Sequence, residues 1–383
     1  MNPTRPDSKT PAAERQLGSG WISGVFAVML AIMGLGAVLC FRYPEFLTVP
    51  EAREVYDLKL IRLLLQFVLA TGFALGVVSI ILRKRKILGF TAIGIILIAT
   101  LLGGSQAQRR FELESDVYLG LDWFILNLIF TGIVFVPLER LLGVKEQGIF
   151  RFEWRDDLFY FFISTLLVQM LVYLTLVPSL TILKHTELSG LRGWIASQPV
   201  VLQVIEIMFF TDLVQYWVHR TFHRVPFLWK FHALHHSAQV LDWLAAARFH
   251  LVEIVVLRSL TVVPMYVLGF GETALYAYLI IVFFLSSGLH ANLRLNLEFL
   301  RRWFVIPRFH HWHHGIEKEA VDINFSAHFP LLDWMFGTYY LPPAGRWPTA
   351  YGIAQPVPKG FFKQFAYPFS SSKRVVDRQE DGR

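Results

Sequence analysis

Histidines are concentrated in the second half of this 383-residue chain. Of its 13 histidines, twelve lie between His219 and His328. Eight of these twelve form three local clusters with spacings of three or four residues, which place side chains on one face of a helix. The clusters are His219 and His223; His232, His235 and His236; and His310, His313 and His314.

The chemistry that such clusters indicate is metal binding. Crowded imidazoles repel one another when charged and need many hydrogen-bond partners when neutral, and a shared metal ion removes both problems. Neutral imidazole is a common ligand of zinc, iron, copper and nickel. A single metal with three or four ligands would leave most of these histidines unused, so the clusters predict two metals with about four to five ligands each. A redox-capable pair with only nitrogen ligands suggests iron, although the spacing does not separate iron from zinc.

Two further histidines flank a predicted helical hairpin. His250 precedes the apolar run 251–268, and His290 follows the run 273–289. Two crossings return the chain to the membrane face from which it left, so both histidines are expected on the face where the clusters lie. We therefore add them to the predicted ligands. Of the others, His311 points off the face of its cluster and is predicted to be structural, His328 is a weaker candidate ligand, and His185 is expected on the far side.

Polar residues near the clusters are candidates for orienting the imidazoles. Asp212, Gln215 and Tyr216 precede His219 on a largely apolar helix, where polar side chains are costly in lipid unless they face inward. Asp242, Asp322 and Asn324 are further candidates, with loop capping as the equally good explanation.

The composition indicates an integral membrane protein. Hydrophobic residues make up 54% of the chain, charged residues make up 17%, and the mean hydropathy is +0.46. The net charge of +7 suits basic loops on anionic lipid better than a nucleic-acid interface. A single cysteine, Cys40, excludes a disulfide framework and a cysteine-based metal site. The candidate spanning runs, each near the ~20 residues that a bilayer requires, are 21–41, 61–82, 87–104, 121–138, 157–182, 198–218, 251–268 and 273–289.

These runs predict an all-α, multi-pass bundle of about 6–8 spanning helices with a helical, histidine-rich cap. The basic cluster 83–86 marks the cytosolic side, and counting crossings from it places the cap there too. The predicted organisation is a polar N-terminal tail (1–20), a transmembrane scaffold (21–150), a catalytic domain (151–345) and a C-terminal tail (346–383).

The order and spacing of the histidine clusters resemble the fatty acid hydroxylase and sterol desaturase superfamily. Three sequence segments around the clusters match it as well: Trp229-Lys-Phe-His-Ala-Leu-His-His-Ser237, Pro307-Arg-Phe-His-His311 and Asp333-Trp-Met-Phe-Gly-Thr338. The resemblance covers roughly 205–342. His250 lies in a motif similar to the family's His-Pro-x-Glu, with Leu251 in place of proline. His290-Ala-Asn292 is similar to the family's His-x-Asn motif.

This resemblance implies a membrane oxygenase with two histidine-bound iron ions on the cytosolic face. Such enzymes use O2 and two external electrons to hydroxylate or desaturate an unactivated C–H bond of a lipid such as a sterol or fatty acyl chain. The implied ligands are the eight clustered histidines with His250 and His290, and Asn292 joins the candidates that orient them. The expected location is the inner membrane of a prokaryote or the endoplasmic reticulum of a eukaryote.

An electron-transfer module is not recognisable in the sequence, which has no Gly-x-Gly-x-x-Gly fingerprint and no cysteine set for a cluster. We therefore expect a separate ferredoxin, or cytochrome b5 with its reductase, as electron donor. The sequence offers two alternative functions. A zinc-dependent membrane hydrolase should carry a carboxylate base among the ligands, and a metal transporter or sensor should place ionisable residues deep within several helices. Neither pattern is present.

Overall fold

The apolar runs of the sequence form long α-helices, as expected when backbone groups must be hydrogen-bonded within lipid. The structure is a computed structural model and describes residues 18–50, 53, 56–109, 118–170, 172–355 and 357–370, without the side chains of 167–173. Most of the predicted N-terminal tail and the last thirteen residues therefore lie outside the described residues.

The described residues contain α-helices, a few short 3-10 helices and one isolated β-bridge. The α-helices are α1 (Trp21–Arg42), α2 (Pro44–Leu47), α3 (Leu58–Leu82), α4 (Ile87–Leu101), α5 (Leu121–Leu142), α6 (Trp154–Met170), α7 (Val172–His185), α8 (Ser189–Ala196), α9 (Val200–Arg224), α10 (Pro226–His236), α11 (Leu251–Leu268), α12 (Glu272–His290), α13 (Pro307–His313), α14 (Leu331–Met335) and α15 (Phe361–Ala366).

Seven of the described helices are long and apolar enough to cross a membrane: α1, α3, α4 with the residues up to Gln106, α5, α9, α11 and α12. The all-helical class and the range of six to eight spans are confirmed. The described residues of the predicted run 157–182 all lie in α6 and α7. The run contains one proline, Pro178. That proline lies inside α7.

The described residues up to position 129 form one compact unit, and its core is the packing of α1 against α3 and α4. Small residues allow this close approach: a Cβ at Gly34 would lie 2.6 Å from Leu69 Cδ2, and one at Gly89 would lie 2.6 Å from the carbonyl oxygen of Gly76. Interfaces of this kind hold membrane helices together by dispersion forces. The Ser79 hydroxyl also donates a 2.8 Å hydrogen bond to the Gly20 carbonyl.

The described residues from position 130 onward form the second unit, in which α11 and α12 both pack against α9. The turn between α11 and α12 is tied to the start of α9, because the Gly271 amide donates to Gln203 Oε1 at 2.8 Å. The short helices α10 and α13, which carry most of the clustered histidines, pack against α9 and α12 respectively.

The C-terminal residues after 345 take part in the packing of this second unit. Gly315 pairs with Tyr351 in an antiparallel bridge, and the Tyr160 hydroxyl donates to Gln364 Oε1 at 3.0 Å. The division between the units falls at residue 129, inside α5. The boundaries that we proposed at residues 150 and 345 are not tested by these contacts and stay predictions.

Candidate metal centre

Five imidazoles from three helices converge at one point of the second unit. They are His219 and His223 of α9, His232 and His236 of α10, and His313 of α13, and each offers a ring nitrogen within 4.8 Å of all the others. The Nε2 atom of His232 lies 3.0 Å from that of His219 and 3.1 Å from that of His236. We call these residues the five-histidine group.

Four imidazoles form a second group, again with ring nitrogens within 4.8 Å of one another. They are His235 of α10, His290 at the end of α12, and His310 and His314 at α13. The Nε2 atom of His290 lies 3.2 Å from that of His235 and 2.9 Å from that of His310. We call these residues the four-histidine group.

The two groups adjoin each other and interleave along the sequence. The rings of His236 and His314, one from each group, stack with centroids 4.4 Å apart and planes 25° apart. In both His-x-x-His-His clusters, the residues at i and i+4 join one group and the residue at i+3 joins the other. Helix geometry accounts for this division, because i+4 lies about 40° around the axis from i, whereas i+3 lies about 60° away in the opposite sense.

Hydrogen bonds of 3.2 Å or shorter fix the tautomer of five of the nine imidazoles, and a longer one of 3.3 Å to Asp322 Oδ1 does the same for His223. A neutral imidazole has one N–H, and where Nδ1–H donates to an oxygen, Nε2 carries a lone pair. The Nδ1 donors and their acceptors are His219 to the Phe325 carbonyl (2.9 Å), His232 to Glu253 Oε1 (2.5 Å), His235 to the Arg248 carbonyl (3.2 Å), His290 to the Ser286 carbonyl (2.8 Å) and His313 to the Ile323 carbonyl (2.7 Å).

These tautomers make lone pairs face one another. The Nε2 atoms of His219 and His232 are both acceptors and lie 3.0 Å apart, and those of His235 and His290 are both acceptors 3.2 Å apart. Such pairs repel unless a cation lies between them. Three further ring nitrogens are buried without a hydrogen-bond partner among the described residues: His223 Nε2, His313 Nε2 and His314 Nδ1. The arrangement therefore fits the binding of a cation by each group.

Burial keeps the imidazoles neutral, the form that binds a metal. Burial lowers the pKa of the histidines on α10 and at α13 well below the ordinary value. The positive charge of neighbouring imidazoles, when they are protonated, is the second cause. Across the described residues, both groups consist of histidine alone, with neither a carboxylate nor a cysteine. Neutral nitrogen donors of this kind suit iron, zinc, copper or nickel.

A family model for fatty acid hydroxylase matches residues 204–338, which include both histidine groups. These residues belong to the fatty acid hydroxylase family. We refer to them as the hydroxylase domain. This confirms the resemblance drawn from the histidine spacing.

Relatives of known name belong to the same superfamily. Ornithine lipid hydroxylase of Rhizobium tropici is 27% identical over 300 residues, which cover 74% of this chain and 86% of the relative. Very-long-chain aldehyde decarbonylase of Oryza sativa subsp. indica is 27% identical over 63% of this chain and 40% of its own length. Lathosterol oxidase of Rattus norvegicus is 27% identical over 42% of this chain and 52% of its own length. No solved structure matches the chain.

The hydroxylase domain brings nine of the ten predicted ligands into the two groups, and His250 is the exception. The Nδ1 atom of His250 accepts a 3.1 Å hydrogen bond from the Val252 amide and thereby caps α11, and Nε2 lies 3.0 Å from the Phe365 carbonyl. With both ring nitrogens engaged, His250 has no lone pair to offer a metal. The hairpin does return it near α10, where its ring contacts Phe231, but not into either group.

The polar residues predicted on α9 lie next to the site without touching an imidazole through a hydrogen bond. Asp212 accepts from the amides of Ala327, His328 and Phe329 at 2.7–3.0 Å. Tyr216 is fully buried, with its hydroxyl 2.8 Å from Thr338 Oγ1. Gln215 is half-buried and has no such hydrogen bond in the described part of the chain.

The loop candidates act at different distances from the imidazoles. Asp322 Oδ1 accepts from His223 Nδ1 at 3.3 Å and is the one candidate in direct contact with a clustered histidine. The Asn324 side chain bonds to the backbone of Phe309 and Tyr340, so it braces α13 against the following loop.

The side chains of Asn292 and Asp242 accept hydrogen bonds from backbone amides instead. Asn292 Oδ1 accepts from the amides of Val144 and Lys145 at 3.1 and 3.0 Å. Asp242 caps the 3-10 helix 243–247 by accepting from the Leu244 and Ala245 amides. Asp242 also pairs with the buried Arg151, and neither Asn292 nor Asp242 forms a hydrogen bond to a clustered imidazole.

The most direct carboxylate contact was not among the predicted orienting residues. Glu253, on the first turn of α11, lies three residues after His250 and accepts from His232 Nδ1. An acidic residue at the start of an apolar helix is the signal that identifies it. The backbone carbonyls that orient the other imidazoles carry no such signal, because every residue has one.

The remaining histidines of the domain lie outside both groups. His311 is 2.7 Å from the Tyr351 hydroxyl and 3.1 Å from the Ala291 carbonyl, and this agrees with the structural role predicted for it. His328 Nε2 lies 3.4 Å from the Tyr278 hydroxyl, and its Nδ1 has no partner in the residues described.

Proposed function

We propose that this chain is a membrane-bound di-iron oxygenase that hydroxylates an unactivated C–H bond of a lipid, using O2 and electrons from another protein. The observation that carries the proposal is the pair of adjacent all-histidine groups in which neutral Nε2 lone pairs converge. The fatty acid hydroxylase family and the lipid-acting relatives support the class of reaction.

The nine grouped histidines would hold the metals, five for one ion and four for the other. Bound iron would supply the oxidation of an alkyl C–H bond by O2, which no amino-acid side chain can perform. A shell of neutral imidazoles suits this chemistry because it contains no thiolate that oxidation would destroy. The absence of a carboxylate from both groups, within the described residues, disfavours a zinc hydrolase with a carboxylate base among its ligands.

The residues around the imidazoles would hold them in position and keep the site dry. Glu253 and Asp322 accept N–H bonds from His232 and His223, which fixes the tautomer and raises the basicity of the ligand. The Phe249 ring stacks on His235 with centroids 4.1 Å apart, and Phe325 is fully buried against the ring of His219. Such aromatic walls would exclude water from the reacting carbon.

The proposed substrate is a membrane lipid with an acyl chain. Among the relatives, the ornithine lipid hydroxylase aligns with 74% of this chain and thus extends beyond the hydroxylase domain. A polar lipid of that type is therefore the first substrate to test. Hydroxylation and desaturation share the abstraction of a hydrogen atom, and we propose hydroxylation because the relative with the longest alignment among those described carries that name.

A separate ferredoxin, or cytochrome b5 with its reductase, is proposed as electron donor on the cytosolic side of the membrane. The described chain offers exposed cations near the site for such an acidic partner, among them Arg224, whose side chain is 57% exposed. Phosphate headgroups could occupy the same cations, so the donor has to be identified by reconstitution.

The deciding experiment is metal analysis of detergent-purified protein grown on iron-57, together with turnover of ornithine lipid in the presence of O2 and a ferredoxin system. We expect two irons per chain, a Mössbauer spectrum of high-spin ferrous iron in nitrogen ligation after reduction, and a product heavier than the substrate by one oxygen atom. Fully active protein with zinc only, or with one iron per chain, would contradict the proposal.

A further inference from the structure

The segment 291–306 joins His290 and His310, which belong to the same four-histidine group. It follows α12 directly and is not part of a spanning helix. Consecutive turns organise its second half: the Leu300 amide donates to the Leu297 carbonyl at 2.9 Å, and the Phe304 amide donates to the Leu300 carbonyl at 2.9 Å. Backbone hydrogen bonds therefore fix the shape of this second half.

The segment has an inner and an outer side. On the inner side, Leu297 and Leu300 pack against a buried cluster that includes Leu289 and Phe309. On the outer side, the large aromatic residues Phe299 and Trp303 are 74% and 71% exposed. A side chain of this size left in water forgoes the free energy that its burial would contribute. The inner leucines hold the two aromatic rings outward.

The outer side is also basic. Residues 291–306 contain three arginines, Arg294, Arg301 and Arg302, and a single acid, Glu298. Arg308 neutralises Glu298 through two hydrogen bonds of 2.7 and 2.9 Å, while Arg301 approaches the same carboxylate at 3.4 Å. A positive charge therefore remains around the exposed aromatic rings.

Exposed aromatic rings among arginines, directly after a spanning helix, match the chemistry of a bilayer interface. Trp is enriched where a membrane meets water, and arginines near the surface are attracted to anionic lipid. A protein partner would also cover aromatic residues. Continuity with α12 favours lipid, however, because a segment that starts at the end of a spanning helix starts at the depth of the headgroups.

We propose that segment 291–306 inserts Phe299 and Trp303 into the headgroup region of the leaflet at the end of α12, with its arginines on anionic lipid phosphates. The bilayer thus contacts the stretch of chain that connects two members of the four-histidine group. The proposal depends on α12 crossing the membrane and is independent of the reaction proposed above.

The test is the depth of a spin label in nanodiscs. The natural cysteine is first replaced by Cys40→Ser, and Trp303→Cys or Phe299→Cys then carries the label in the full-length protein. Collision with O2, which concentrates in lipid, is compared with collision with chromium oxalate, which stays in water. Val321→Cys is the matched control, since Val321 is 64% exposed in the same domain but lies between Glu319 and Asp322.

We expect labels at positions 299 and 303 to collide several-fold more with O2 than with chromium oxalate, and the label at 321 to do the reverse. Changing from phosphatidylcholine alone to discs with one third phosphatidylglycerol should deepen the label at 303, and Arg301→Gln with Arg302→Gln should remove that change. Water-exposed labels at both positions would overturn the proposal. Dipolar broadening between labels at 303 would also overturn it, in favour of a second copy of this chain on the surface.

Discussion

Oxygen atoms outside both histidine groups orient the grouped imidazoles by accepting hydrogen bonds from them. Backbone carbonyls or carboxylates accept the Nδ1–H of His219, His232, His235, His290 and His313. Each of these bonds turns an Nε2 lone pair toward its group. Replacing a single grouped histidine should therefore remove a ligand without altering the helices that carry it.

The first prediction compares grouped histidines with His250. His235→Ala and His313→Ala remove one ligand from each group, so each variant should lose about half of its iron and all of its activity while still inserting in the membrane. His250→Ala should keep its iron, because neither ring nitrogen is free, and should lose about 0.5–2 kcal/mol of stability with the helix cap. The measurements are iron per chain by mass spectrometry and the thermal midpoint. Iron loss in His250→Ala would return it to the ligand set.

The second prediction concerns acid sensitivity at His328. Burial lowers the pKa of His328 from 6.5 to about 4, so the folded protein keeps this ring neutral where the unfolded chain protonates it. The buried neutral ring therefore does not lower the free energy of unfolding above pH 6.5. As the pH falls from 6.5 toward 4, this free energy decreases by about 1.4 kcal/mol per pH unit, because the unfolded chain binds a proton that the folded protein does not. His328→Gln should therefore unfold with a shallower dependence on pH between 6.5 and 4. Thermal midpoints across that range check this, and equal slopes for both proteins would contradict it.

At the scale of elements, one loop orients imidazoles of two different helices. The carbonyls of Ile323 and Phe325 accept from His313 and His219. Asp333 holds this loop, because its two carboxylate oxygens accept from the Phe325 and Ser326 amides at 2.8 and 3.0 Å. Asn324 adopts a left-handed conformation with φ 58°, which asparagine tolerates better than most residues, and so turns the chain between the two carbonyls.

The third prediction tests this loop. Asp333→Asn keeps the size of the side chain but loses an acceptor and the charge, so the loop carbonyls should drift and the affinity for metal should fall about 10–100-fold. Chelator competition measures that affinity. The matched control is Glu319→Gln, another exchange of a carboxylate for an amide, at a largely exposed surface pair with Arg346. An unchanged affinity in Asp333→Asn would show that the carbonyls do not need this support.

At the scale of the whole molecule, residues after 345 pack against the rest of the second unit. Tyr351 contacts His311. Two residues of α15 also make contacts: Gln364 accepts from the Tyr160 hydroxyl, and the Phe365 carbonyl contacts His250. A buried network of charges also ties α6 to the domain, since Arg248 pairs with Asp157 and Glu153. Breaking such a network by removing one partner costs about 3–5 kcal/mol.

The fourth prediction is a pair of truncations that tests the proposed boundary at residue 345. A chain ending at 370 keeps every contact just described and should retain its iron and thermal midpoint. A chain ending at 345 loses Tyr351, Gln364 and Phe365 and should unfold at a clearly lower temperature or fail to accumulate in the membrane. Thermal scanning fluorimetry of both proteins in one detergent measures this. Equal midpoints would confirm 346–383 as a dispensable tail.

Much of the candidate site could be read from the sequence, because helical spacing is a local property. Histidines three and four residues apart share one side of a helix whatever else the chain does, so the clusters and their metal-binding chemistry follow from the residues. Apolar runs likewise determine the spanning helices, since a bilayer admits few other structures. The family assignment follows from the same spacing.

The tertiary structure alone decided how the histidines are shared. Helix geometry turns His235 and His313 away from the other histidines of their clusters, but helices from distant parts of the chain supply the group that each of them joins. His250 lies outside both groups because its ring caps α11 and contacts the carbonyl of Phe365, a residue more than a hundred positions away. Such pairings depend on long-range packing and on which oxygen accepts each Nδ1–H, and neither is encoded in the spacing of the histidines.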